Sequence, residues 1–213
     1  MTTTTGDGRP PEERPPGPLF SQQLEEWLRA DAPKTLGDLG SAFGEKSFAV
    51  TILLLMFVPA LPLPTGGVSH VFEVITVVLA GQMVAGRRSV WLPARWRERR
   101  LGALTTDKAI PVMTRSIRRL EAVSRRRGAG LLRRRAAGRL VGLALMATAV
   151  TALASPPFSG LDTLPGLAAV AICMGVILGD VAIVGIGVAI EAGAVVVIFT
   201  VGAAAFHWIG SIF

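Results

Sequence analysis

His70 and Glu73 lie three residues apart, so any helix that carries both presents them on one face. An imidazole beside a carboxylate can hold, share or pass a proton. Both follow a helix-breaking stretch, Pro59-Ala-Leu-Pro62-Leu-Pro64-Thr-Gly66-Gly67, and both sit in an otherwise apolar run. Ionisable groups within apolar segments face a bundle interior and mark a pathway more often than not. The alternative is an interfacial position at which Glu73 is simply solvated. Ser69 stands just after the break and Asp162 and Thr163 just after a second one, which contains Pro156, Pro157 and Gly160. These five residues, Ser69, His70, Glu73, Asp162 and Thr163, are the candidate substrate-binding set. Glu191, ten residues into a later apolar run, joins Glu73 and Asp162 as a candidate for proton or ion coupling.

Other chemistry finds little support. With only two histidines, His70 and His207, no metal-ligand cluster is visible. The single cysteine, Cys173, lies in an apolar run and reads as a packed core thiol. No glycine-rich phosphate loop joins a strand to a helix, so nucleotide binding is unsupported. The expectation is a protein without metal or cofactor and not an enzyme. A membrane-embedded hydrolase stays open only through His70 and Glu73, which lack a convincing nucleophile.

The elements that carry these residues come in two copies. Shifted by 93 positions, residues 44–86 fall on 137–179 without a gap: Pro64 lands on Pro157, Gly67 on Gly160, Ser69 on Asp162 and Gly86 on Gly179. Each copy is an apolar run, a Pro/Gly break, then a second apolar run. Duplicated hydrophobic segments broken at matching positions point to a binding site between repeats. Backbone groups freed at such breaks cannot face lipid. The predicted caps, Ser69 and Asp162, start helices whose positive ends point at the breaks and suit an anionic headgroup. An ionised Asp162 would take the anion's place, so a proton-linked or cation-assisted site is equally open. The competing architecture is a pair of ordinary hairpins whose turns, Pro62–Gly67 and Ser155–Asp162, are periplasmic.

Composition sets the environment. Hydrophobic residues make up 51% of the 213 and charged residues only 17%, below the roughly 25% usual for soluble domains. No apolar leader opens the chain, so no cleavable signal peptide is expected. Residues 87–139 hold seventeen Lys/Arg against three acids, which accounts for more than the whole formal charge of +7. Flanked by apolar segments, such a block is the cytoplasmic loop of the positive-inside rule rather than a nucleic-acid surface. Within it, Ile110, Met113, Ile117 and Leu120 form one stripe of a basic amphipathic helix, which fits an anionic membrane surface or a packing helix.

The predicted fold is an all-α integral membrane protein of duplicated broken-helix, re-entrant hairpin units, open to an inverted-repeat relation, plus a C-terminal transmembrane helix. Its segments are a disordered cytoplasmic tail over 1–20, amphipathic interfacial helices over 21–46, repeat 1 over 47–86 and the basic loop over 87–136. Repeat 2 follows over 137–180, then the last helix over 181–213. The glycine-rich stretch Gly175–Gly193 permits close helix contact, and a homodimer is expected.

The residues resemble the ExoD family of bacterial exopolysaccharide-synthesis membrane proteins over about 35–205. The resemblance rests on Thr35-Leu-Gly-Asp-Leu-Gly with Gly44-Glu-Lys-Ser-Phe48, and on Val58-Pro-Ala-Leu-Pro-Leu-Pro64. It continues with Leu79-Ala-Gly-Gln82-Met, Gly86-Arg-Arg, Trp91-Leu-Pro93, Ser155-Pro-Pro-Phe-Ser-Gly, Leu164-Pro165 and Leu178-Gly-Asp180. It implies a multi-pass protein of the bacterial inner membrane linked to surface polysaccharide, and it carries over no catalytic residues. The leading functional expectation is a small transporter or handler of an anionic, lipid-linked or phosphate-bearing substrate, with membrane lipid and a polyprenyl-phosphate carrier as partners. The competing one is a scaffold that recruits synthesis enzymes through its basic loop.

Overall fold

The computed structural model describes residues 20–29, 43, 46–61, 68–87, 90–91, 110–124, 128–132, 134–156 and 159–210. The tail, Trp96, most of 30–45, and Pro62, Pro64, Gly67 and Pro157 lie outside them. The elements in chain order are α1 (Phe20–Arg29), α2 (Ser47–Phe57), α3 (Val68–Val84), α4 (Ile110–Val123), α5 (Ala129–Leu132), α6 (Arg135–Ala154), α7 (Thr163–Leu178) and α8 (Val181–Gly210). Among the described residues every regular element is a helix.

Four helices close a ring. α2 packs on α3, α3 on α6, α6 on α7, and α7 back on α2. The contacts between the copies are crossed: the first arm of each, α2 or α6, packs on the second arm of the other, α7 or α3. Small residues set the register. A Cβ on Gly142 of α6 would lie 2.9 Å from Met83 Cβ and 3.0 Å from Val84 N, so the end of α3 meets α6 two turns after α6 begins. A Cβ on Gly166 of α7 would lie 2.7 Å from Ala60 N, so α7 begins where the chain leaves α2. α8 folds back along α7, with Gly187 against Ile172 and Ala168, and touches α6 more lightly.

The second arms of both copies end in the same cap. Gly86 and Gly179, 93 positions apart, have φ of 79° and 72°. Gly86 N donates to Met83 O and Arg87 N to Gln82 O; Gly179 N donates to Val176 O and Asp180 N to Gly175 O. This is the Schellman arrangement, which consumes two orphan carbonyls and favours glycine because a side chain is strained at positive φ.

α6 and residues Val181–Val201 of α8 are long and apolar enough to cross a membrane, at 20 and 21 residues. α2, with 11 residues, spans only about 16 Å. Every one of its residues is buried, whereas α6 exposes Leu140, Leu143, Val150 and Leu153. Measured along α3, α6 and α7, of 17, 20 and 16 residues, the breaks stand about 24–30 Å from the basic end.

The stripe expected to rest on lipid is partly consumed by protein contacts. α1 packs on α4, and Leu24 and Ile117 are fully buried in the same apolar core as α2. The Ser21 N–H and hydroxyl donate to Glu121 Oε1 and Oε2 at 3.1 and 2.6 Å, placing a carboxylate at the positive end of α1. Arg118 pairs with Glu25.

Candidate functional site

The first turns of α3 bring the predicted chemistry together. His70 Nδ1 and Glu73 Oε2 are 2.8 Å apart, as their i,i+3 spacing requires. Glu73 is 0% exposed and His70 31%, so the imidazole stands between the buried carboxylate and the outside. Oε1 of Glu73 has no hydrogen-bond partner. Ser69, Glu73, Thr76 and Ala80, all buried, form the inward stripe of α3. The Thr76 hydroxyl bonds back to Phe72 O at 2.8 Å.

Asp162 of the second copy lies close enough to act electrostatically on Glu73. The structure therefore brings Ser69, His70 and Glu73 to the same end as Asp162 and Thr163. The expected caps also differ. α3 already begins at Val68, which puts Ser69 inside the first turn. Asp162 does stand at the N-cap of α7, but in a helical conformation with φ −68° and without a side-chain capping bond. Its carbonyl accepts from Gly166 N at 3.0 Å. Thr163 opens α7 half-buried, its N–H donating to Gly160 O.

Glu191 is buried on α8, and neither of its oxygens has a hydrogen-bond partner. Thr151 of α6, which the residue pattern did not single out, lies near it without reaching hydrogen-bond geometry. Four positions later the Ser155 hydroxyl, at the edge of the second break, donates to Thr151 O at 3.1 Å. Glu191 thus belongs to the same end of the bundle but stands apart from the His70–Glu73 pair. Pro156 and Gly160 are exposed there. Among the described residues no three His, Cys, Asp or Glu side chains form a group able to hold a metal ion.

The opposite end is basic. Gln82 spans the Gly86 turn: its amide donates to Trp91 O and accepts from Trp91 N, both at 2.8 Å. The clamp fixes the backbone of an indole that is 58% exposed. Only the nine-residue spacing across a glycine turn could have hinted at it. Arg87, Arg134, Arg135 and Arg139 are exposed at this end. The corner between α7 and α8 is tied to α4 by Ser124 Oγ donating to Asp180 Oδ2 at 3.3 Å.

Fold and site define an all-helical protein with helices of membrane-crossing length and a carboxylate-bearing end opposite a basic one. The chain belongs to the exopolysaccharide synthesis ExoD family, whose model matches residues 20–200. It is also similar to an uncharacterised protein of Synechocystis, slr1875, 27% identical over 151 residues and 70% of each chain. No solved structure matches.

Proposed function

We propose that this protein is a multi-pass inner-membrane component of exopolysaccharide synthesis that moves or handles a charged, lipid-linked substrate in a proton- or cation-linked step. Family membership supports the role in polysaccharide synthesis. The coupled step rests on one observation: the fully buried carboxylate of Glu73, with one oxygen paired to a partly exposed histidine and the other unpaired. A buried carboxyl with a titratable neighbour reaching outward can take up and release a proton, whereas one needed only for packing would be replaced at no cost.

The substrate's phosphate would then engage the arginines of the basic end rather than the breaks. The two copies supply matching arms with matching caps and crossed contacts, which favours a repeat whose copies run in the same sense over an inverted pair. Homodimerisation remains part of the proposal.

Purified protein in liposomes containing a pH-sensitive dye tests the coupling. Protein-dependent proton movement that Glu73→Gln abolishes supports it. No movement with either protein, together with polysaccharide production that depends on the loop arginines alone, would favour the scaffold.

A further inference from the structure

The inward stripe of α8 reads Gly187, Glu191, Ala194, all buried, while Ile186, Val188, Val196 and Phe199 face outward. A glutamate in the middle of such a stripe faces protein, not lipid or water. Gly187 lies on Ile172 and Ala168 of α7. One turn further, about 6 Å along the axis, Glu191 reaches the level of the first turns of α7. Thr151 and Ser155 of α6 edge the second break on the same side. Glu191 therefore stands at the level of the first turns of α7, the helix that Asp162 caps.

Among the described residues, no ion pair balances Glu191. On α8 no other charged residue occurs between Val181 and Val201, and Asp180 sits at the opposite end of that stretch. α7 brings Cys173 as its titratable group, and Asp162 precedes it. α6 brings Arg135 and Arg139, both exposed at the basic end; Arg139 is twelve residues, about 18 Å of helix, from Thr151. A carboxylate left in apolar surroundings without a cation or hydrogen-bond donors is costly, and a neutral acid with one O–H is not. Thr151 offers a hydroxyl able to accept from that O–H or to donate to the ionised form.

We propose that Glu191, with Thr151, is a second proton-carrying carboxyl site of this protein, on the α8 side of the break end. It deepens the proton-linked reading proposed above and rests on it. The ligand is the proton itself, exchanged between the Glu191 carboxyl and water at the end of α6, where Pro156 is exposed.

Dicyclohexylcarbodiimide is the probe. It reacts with protonated carboxyls in apolar sites: the acid adds across the carbodiimide, and the O-acylisourea rearranges to a stable N-acylurea with no leaving group. The full-length protein in native membranes is treated at pH 6 and pH 9, and peptides carrying Glu73 and Glu191 are read separately by mass spectrometry. The expected result is an adduct on Glu191, at least tenfold more abundant at pH 6, with the pH dependence displaced in Thr151→Val. Glu191→Gln should keep its folded yield and lower proton movement in liposomes at least fivefold. An unmodified Glu191 beside a modified Glu73 would overturn this site and leave the Glu73 reading standing. Modification of neither would remove both. Equal labelling at both pH values, or unchanged proton movement in a folded Glu191→Gln, would also overturn it.

Discussion

The inward stripes of the two second arms occupy the same positions of the repeat and carry opposite chemistry. In α3 the stripe is Ser69, Glu73, Thr76 and Ala80; 93 positions on stand Asp162, the half-buried N-cap of α7, and Gly166, Ala169 and Cys173 within that helix. Where α3 carries a buried carboxylate, α7 carries no side chain at all, and the end of α2 moves into the space. One copy is built for close packing and the other tolerates a polar group whose burial packing alone does not explain. The first arms divide in the same way. α2 is short and wholly covered, while α6 is of spanning length and presents leucines and a valine outward. The two hairpins thus differ in kind: one is fixed by close backbone contact at Gly166, the other holds a buried carboxylate at Glu73.

The sharpest way to break this comparison is to make the copies alike. Gly166→Glu puts a side chain where a Cβ alone would sit 2.7 Å from Ala60 N, and loss of folded protein from detergent extracts is expected. Gly166→Ala should cost about 1–3 kcal/mol by thermal unfolding, the usual range for overpacking. If Gly166→Ala unfolds like the native protein, the frame is not set at this contact.

The shared caps give a milder test. Gly86→Ala and Gly179→Ala each force a side chain into left-handed backbone, at about 1–2 kcal/mol. Gly179→Ala should be the worse, because its Cβ would meet Ala129 Cβ at 3.2 Å, whereas the one on Gly86 meets only the Arg139 guanidinium at 3.5 Å. Unfolding midpoints in the reverse order would separate the two caps. The smallest effect should come from Thr76→Val. The Thr76 hydroxyl serves only its own helix, so the stability change should stay under about 1 kcal/mol and polysaccharide output should hold. A large functional loss would extend the reactive stripe one turn deeper.

Part of this was legible in the residues. The His70–Glu73 pair follows from helical spacing, and the caps at Gly86 and Gly179 follow from glycine after an apolar run. The position of Asp162 at a helix start was also readable, because the break fixes it to within a residue. Ser69 lies two positions inside the cap, since a helix can begin two residues earlier without any change in pattern. The pairing of Ser21 with Glu121 joins residues a hundred positions apart, and no local signal announces it. The same holds for Thr151 and Glu191, which meet only because α8 folds back along α7 and reaches α6.

If Glu73 is held for chemistry and not for structure, polysaccharide output per folded molecule should separate Glu73→Gln from the native protein in cells. Gln keeps the shape and most of the hydrogen bonding while removing charge and proton transfer. Folded yield and thermal stability should equal or exceed those of the native protein, with output at least tenfold lower. Native output from a folded Glu73→Gln would contradict it and make the carboxylate a structural feature of α3.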